Sequence, residues 1–152
     1  MPVKLKLPPR IKVLEALSSI ADGRISVTGN SGEVISSDGT RRYRVAWDPE
    51  SNRVYSNDNG TIYRGYIGYP IIALLMVNGV IPYQENLAEK LKGIPWRNLN
   101  EKYKSYRIVE GIVKKIFSER GGDPKELDLF VDEVMRKLSS TQMYFDEGLI
   151  GN

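Results

Sequence analysis

The chain has 152 residues, a formal net charge of +3, and neither cysteine nor histidine. This length favours one domain with a substantial core. Lack of cysteine excludes disulfides, thiolate catalysis and cysteine-based zinc sites, and lack of histidine removes the commonest general base and metal ligand. We therefore expect no metal, no cofactor and a cytoplasmic location. The composition also fits a thermophile.

No segment is predicted to enter a membrane. The longest apolar run covers residues 70–82 and is interrupted by Asn78, Gly79 and Pro82. It is shorter than the roughly 20 residues that a bilayer-spanning helix needs. The first ten residues contain no apolar stretch of signal-peptide length. We expect no membrane partner.

The first predicted element is a helix. Apolar residues recur at helical spacing from Ile11 to Ile20, behind Pro8 and Pro9. Proline is favoured in a first helical turn, and Gly23 marks a natural end. The segment therefore predicts a helix of about three turns.

From residue 24 onward the hydrophobic period changes to two, which is typical of strands. Turn signals at Asp38-Gly39 and at residues 57–60 separate the runs. The sequence predicts an antiparallel meander of about five short strands, at residues 24–29, 33–37, 41–48, 53–56 and 61–66.

Alternation along these strands predicts which side chains face the core. The inward residues are Ile25, Val27, Tyr43, Val45, Trp47, Val54 and Ile62. The outward residues are basic and aromatic, and we call them the strand set: Arg42, Arg44, Arg53, Tyr55 and Tyr63.

About four helices are predicted after the strands, at residues 71–78, 85–93 and 98–119 and from residue 124 onward. Asn98 and Glu101 have the spacing of a capping box, as do Asp123 and Glu126.

An N-terminal helix, a meander and then helices on one sheet face define an α+β fold. Residues 1–140 are predicted to form one domain, and residues 141–152 a tail that is either disordered or docked.

The strand set predicts a nucleic-acid interface. Arginines contact phosphates, and tyrosine rings stack on unpaired bases, so DNA or RNA is a candidate partner. The alternative is an ordinary exposed strand face, because arginine and tyrosine combine a large packing surface with a polar tip.

A second basic group lies within residues 87–107, where a short helix, a tight turn and a basic helix resemble a helix-turn-helix. This resemblance implies DNA contacts from residues that we call the helical set: Arg97, Lys102, Lys104 and Arg107. Residues 10–25 resemble the first helix of archaeal winged-helix regulators. Strands follow that helix directly, unlike in those regulators, so no family is assigned. The alternative is a helix pair with a solvated basic face.

No residue is predicted to be catalytic. Asp48, Glu50 and Asn52 have the spacing of a calcium loop, but Arg53 and Asn59 stand where that loop needs glycine and glutamate. The chain has neither a P-loop nor a Gly-x-Gly-x-x-Gly motif. A small enzyme that relies on carboxylates is a third functional hypothesis.

Self-association is another hypothesis. Trp96 belongs to a residue type enriched at interface hot spots, and short strands leave sheet edges that a second copy could cover in a homodimer. Alternatively, Trp96 fills the junction between helices.

Our leading prediction is a non-catalytic nucleic-acid-binding protein. The alternative is a structural or interaction module that self-associates without a nucleic-acid role.

Overall fold

A computed structural model describes residues 2–149 and confirms the α+β class. Residues 150–152 of the predicted tail lie outside the described residues. The helices are α1 Ile11–Ala21, α2 Tyr69–Val77, α3 Glu85–Glu89, α4 Trp96–Tyr103, α5 Tyr106–Glu119 and α6 Pro124–Ser140. The strands are β1 Val3–Lys4, β2 Ile25–Thr28, β3 Ser31–Ile35, β4 Arg42–Asp48, β5 Arg53–Ser56 and β6 Tyr144–Phe145.

Within residues 2–149 the sheet has six strands, in the order β1-β6-β5-β4-β3-β2. Strands β2 to β5 form the predicted antiparallel meander. Strand β6 pairs in parallel with β5 and antiparallel with β1, so segments near both ends of the chain complete the sheet. The described part of the tail is therefore docked, and its Met143 side chain is buried in the core.

The core lies between the helices and the sheet face that carries Val34, Val45 and Val54, all of them fully buried. Helix α2 packs on this face and against α1. Its residues from Pro70 to Met76 are all buried, as expected for a helix that is apolar nearly all round.

The predicted strand at residues 61–66 is wrong, because Gly60–Arg64 forms a π-helical turn. The buried Asp58 carboxylate accepts hydrogen bonds from the backbone N–H (3.2 Å) and the hydroxyl (2.8 Å) of Thr61, which fixes the turn. As a result, Ile62 is 41% exposed rather than in the core, and Tyr63 is 80% exposed.

The single helix predicted at residues 98–119 is instead two, α4 and α5. Lys104 ends α4 in the left-handed conformation, with φ of 50°. Ser105 then caps α5 by accepting a hydrogen bond from the Ile108 N–H. Asn98 does not act as a cap, because α4 already begins at Trp96.

None of the helices within residues 2–149 is long and apolar enough to cross a bilayer.

Candidate functional site

Two arginines of the strand set are paired with carboxylates. Arg42 contacts Glu33 on the neighbouring strand (3.1 Å), and Arg53 contacts Asp146 after β6 (3.0 Å). Within residues 2–149, the Arg44 side chain contacts no carboxylate. The sheet face therefore carries less uncompensated positive charge than its sequence suggests.

The two tyrosines of the strand set lie on different structural elements. The Tyr55 ring packs against Phe145, with ring centroids 5.6 Å apart. Tyr63 projects from the π-helical turn rather than from a strand. Tyr63 is therefore not part of the sheet, whereas the other four residues of the strand set lie on β4 and β5.

The helical set is divided between α4 and α5. Lys102 lies over the Tyr103 ring, 5.3 Å from its centroid, and Arg107 is exposed in the first turn of α5. Arg97 and Lys104 both line a cleft that the sequence did not predict.

This cleft has a volume of about 480 Å³ and lies between α1, the ends of the meander strands, the π-helical turn and the α4–α5 junction. Cationic, anionic and aromatic side chains all line it. The cations are Lys12, Arg24, Arg64, Arg97 and Lys104, and the anions are Glu15, Asp58 and Glu101. The aromatic residues are Tyr43, Tyr66, Tyr69, Trp96 and Tyr106.

A shielded ion pair lies in the cleft. Lys12 Nζ is 2.8 Å from Glu15 Oε2, with side-chain exposures of 13% and 6%. Burial alone would lower the pKa of Lys12, but the Glu15 carboxylate and nearby tyrosines raise it above its ordinary value. Lys12 is therefore protonated at neutral pH. Because burying an ion pair seldom adds stability, this pair is a candidate for a functional role.

Protonated tyrosines flank the ion pair. Burial raises the pKa of Tyr66, of Tyr69 and of Tyr43 above the ordinary value. The Tyr66 and Tyr106 hydroxyl oxygens are 3.5 Å apart, and Lys12 Nζ lies 5.0 Å from the centroid of the Tyr106 ring. The hydroxyl groups of Tyr43, Tyr66 and Tyr69 can therefore donate as well as accept hydrogen bonds at neutral pH.

Two buried polar atoms of the cleft, Trp96 Nε1 and Asn100 Oδ1, lack a hydrogen-bond partner among residues 2–149. Glu15 Oε2 is held by the Lys12 ammonium group at 2.8 Å. Leaving such a group unsatisfied costs on the order of 1–3 kcal/mol, so groups of this kind at a cleft indicate binding capacity.

Two cations of the cleft are held by neighbouring groups. Arg24 contacts Asp22 (2.9 Å) and donates to the Ile35 carbonyl oxygen (2.6 Å). Arg97 lies between Asp38 (3.2 Å) and Glu101 (3.4 Å). Both guanidinium groups are therefore already paired with acceptors of the protein.

Two further cations of the cleft, Arg64 and Lys104, are exposed and contact no carboxylate in the described part of the chain. Because they are exposed whereas Glu15 and Trp96 are buried, they mark the mouth of the cleft and the buried residues mark its floor.

The π-helical turn holds Tyr66 in the cleft wall. A Cβ atom added at Gly60 would overlap the Tyr66 ring, so only glycine permits this close packing. The turn is fixed by Asp58, which also accepts a hydrogen bond from the Ser56 hydroxyl (2.5 Å). Asp58 therefore has a structural role.

One feature of the sequence indicates a buried polar site on α1. Glu15 lies four residues after Ile11 and one after Leu14, on the apolar stripe of α1, and it is buried. A carboxylate on a core stripe needs a partner, which predicts a buried polar cluster.

Residues 5–144 match the family described as Uncharacterised conserved protein UCP014422. The chain belongs to this family. The matched region contains every residue that lines the cleft, from Lys12 to Tyr106. No curated protein and no solved structure matched the chain.

Proposed function

We propose that the protein binds a small anionic ligand in this cleft, with the anionic group at the mouth. The observation that supports this is the position of Arg64 and Lys104, two exposed cations without a carboxylate contact within residues 2–149, above a buried polar floor. The cleft volume of about 480 Å³ falls in the range of small-molecule sites.

The floor suits a polar ligand rather than an apolar one. Lys12 has three N–H donors, and its pair with Glu15 leaves donors for a second acceptor. The protonated Tyr66 hydroxyl adds another donor beside it. Five aromatic side chains supply ring faces against which a planar or cyclic group can pack.

The partners of the carboxylates favour binding over acid–base catalysis. Glu15 is paired with Lys12, and Glu101 with Arg97. Asp58 is saturated by hydroxyl and backbone donors. Each carboxylate of the cleft is thus occupied in holding a neighbour, and none is left as an isolated base or nucleophile.

Calorimetry with inorganic phosphate and ribose 5-phosphate, at low and high salt, tests the proposal. Arg64→Ala and Lys104→Ala should each weaken binding about tenfold, which corresponds to roughly 1.4 kcal/mol. Lys115→Ala and Arg136→Ala are matched controls, because these cations are exposed and do not line the cleft. If neither compound binds, or if all four variants behave alike, the proposal is wrong.

A second candidate is binding of a nucleic-acid strand, which the location of the helical set favours. Arg97 and Lys104 line the cleft, and Lys102 and Arg107 are exposed on the adjoining surface. A single strand could place one nucleotide in the cleft and its backbone along these cations.

The strand candidate is tested with random-sequence single strands and duplexes at increasing salt. The double variant Lys102→Ala/Arg107→Ala should weaken oligonucleotide binding and flatten its salt dependence, but leave ribose 5-phosphate binding unchanged. Absence of binding at low salt would exclude this candidate.

The cytoplasmic location, the thermophilic origin and the homodimer stay predictions. Light scattering would test whether the protein is a homodimer.

A further inference from the structure

Strand β2 is an open edge of the sheet, and its register identifies the backbone groups on that edge. Ile25 is opposite Val34. One position earlier, the Ile35 N–H donates to the Arg24 carbonyl oxygen (2.9 Å), so those two residues form a hydrogen-bonded pair. Because hydrogen-bonded and non-hydrogen-bonded pairs alternate along an antiparallel ladder, Ile25 and Val27 belong to non-hydrogen-bonded pairs. Their N–H and C=O groups therefore point away from β3, toward the open edge.

These backbone groups require a strand as their partner. No backbone group of a turn, loop or helix within residues 2–149 pairs with Ile25 or Val27. Because an N–H and a C=O recur at every second residue of the edge, a second extended chain satisfies them by β-strand addition. A helix does not present free donors and acceptors at this spacing, because its backbone groups are paired internally.

The side chains of β2 permit such pairing. The strand reads Ile-Ser-Val-Thr, without the charged residue, proline or bulge that commonly protects a sheet edge. Ser26 and Thr28 are exposed on the outer face. Ile25 and Val27 pack against the core but are only partly buried. An added strand with the same pattern would therefore extend the apolar inner face and the polar outer face.

The opposite edge of the sheet is protected. Strand β1 has only two residues, and one of them is the charged Lys4. The chain beyond it is already paired, because the Lys6 N–H donates to the Gly65 carbonyl oxygen (2.9 Å) and the Ile67 N–H donates to the Lys6 carbonyl oxygen (3.0 Å). Of the two sheet edges within residues 2–149, β2 is therefore the one that combines free backbone groups with an uncharged strand.

We infer that β2 pairs antiparallel with β2 of a second copy of this chain. A two-fold axis perpendicular to the sheet produces this arrangement and closes both open edges at once. Charge favours a second copy here, because β2 brings no like charges together, whereas self-pairing of β1 would bring together two copies of Lys4. The inference is independent of the proposed ligand, since residues 25–28 do not line the cleft.

One two-fold register keeps every new hydrogen bond within the strand. With Ser26 opposite Ser26 of the second copy, Ile25 of each copy faces Val27 of the other, and both of these pairs are hydrogen-bonded. Registers centred on Ile25 or on Val27 would instead recruit Gly23 or Gly29, which lie in turns with φ of 71° and 61°. The central Ser26 pair is non-hydrogen-bonded, which places its two Cα atoms about 4.5 Å apart.

Single-cysteine variants test this register, because the chain contains no cysteine of its own. Ser26→Cys should give a disulfide-linked dimer on mild oxidation, since a Cα separation of about 4.5 Å is within disulfide range. Thr28→Cys is the matched control on the same exposed face. Its two copies would lie four residues apart along the strands, about 14 Å, so it should cross-link at least about tenfold more slowly. Equal rates would overturn the inferred register.

Charged variants test the interface in solution. Ser26→Lys and Ser26→Glu each place like charges opposite one another at the two-fold axis. Sedimentation should show self-association at least about tenfold weaker for either variant alone, and restored in an equimolar mixture of the two. Ser118→Lys is the control, because this exposed residue lies on α5, outside the sheet. Circular dichroism establishes that each variant is folded.

Light scattering of the native chain at increasing concentration completes the test, and we expect a dimer. A chain that stays monomeric up to millimolar concentration would overturn the inference and leave the edge open to a strand of another protein. A dimer that is unaffected by Ser26→Lys would also overturn it, because that dimer would form through a different surface. Neither result would decide whether the cleft binds an anionic ligand.

Discussion

Lys12 Nζ lies 2.8 Å from Glu15 Oε2, less than one helical turn along α1, with both side chains largely shielded from solvent. Glu15 also accepts a hydrogen bond from Asn100 on α4 (3.4 Å). The ion pair thus links the first helix to the helix that carries Trp96 and Arg97. Removing either charge would leave the other one buried and unpaired.

Glu15→Gln should therefore destabilise the protein by about 3 kcal/mol, because the Lys12 charge would lose its partner in a shielded site. Urea unfolding measures the effect. Glu33→Gln is the matched control, since it breaks the exposed pair with Arg42 and should cost about 0.5 kcal/mol or less. Equal losses in the two variants would show that the Lys12–Glu15 pair has no special role.

Gly60→Ala should disrupt the cleft wall, because the added Cβ overlaps the Tyr66 ring. We expect a loss of about 1–3 kcal/mol in unfolding free energy and weaker ligand binding. Gly111→Ala is the control, because it lies in α5 with open space around it and should stabilise that helix by up to about 1 kcal/mol. A Gly60→Ala variant as stable as the native chain would contradict this packing.

The raised pKa values of the cleft tyrosines should make the folded protein less stable at alkaline pH. Burial raises the pKa of Tyr66 and Tyr69 above their ordinary 10.0, so the folded protein disfavours their ionisation. Their contribution is fully present below pH 10 and declines as the pH rises through the folded-state values. Tyr69→Phe should reduce the slope of unfolding free energy against pH above pH 10. An unchanged slope would be inconsistent with a shielded Tyr69.

The lowered pKa of Asp38 should reduce the stability of the folded protein at acid pH. Hydrogen bonds from the Thr40 hydroxyl and backbone N–H lower its pKa from 3.8 to about 2. The stabilisation is present above pH 3.8 and is lost as the pH falls toward 2. Carboxyl-carbon NMR should show Asp38 titrating near pH 2, and Thr40→Ala should move the midpoint upward. A midpoint near 3.8 in the native protein would exclude these hydrogen bonds.

The sequence predicted those parts of the fold that depend on local periodicity. The spacing of apolar residues located α1, and alternation located the meander and its buried Val45 and Val54. Asp123 caps α6 as predicted, by accepting from the Lys125 N–H (2.9 Å). In these cases neighbouring residues determine the structure.

Two boundaries were not predictable from periodicity. The turn after β5 was expected to continue a hairpin, but the Asp58 side chain binds Thr61 and closes a π-helical turn instead. Lys104 interrupts the expected long helix in a left-handed conformation that is rare for a lysine. Both features depend on single side chains or backbone angles that a hydrophobic pattern does not reveal.

The cleft was missed because its residues come from distant parts of the chain, between Lys12 and Tyr106. No local motif joins them. The predicted helical set nevertheless included Arg97 and Lys104, which do line the cleft. Outward alternation alone defines the strand set, and alternation does not reveal that Glu33 and Asp146 lie beside Arg42 and Arg53.

Ligand binding in the cleft is tested most directly by chemical-shift mapping of the isotopically labelled protein with ribose 5-phosphate. We expect the perturbed backbone amides to cluster at Gly60, Arg64 and Lys104, with the strand amides of Arg42 and Arg44 unchanged. Perturbations confined to the strand residues, or none at saturating concentration, would contradict a binding site in the cleft.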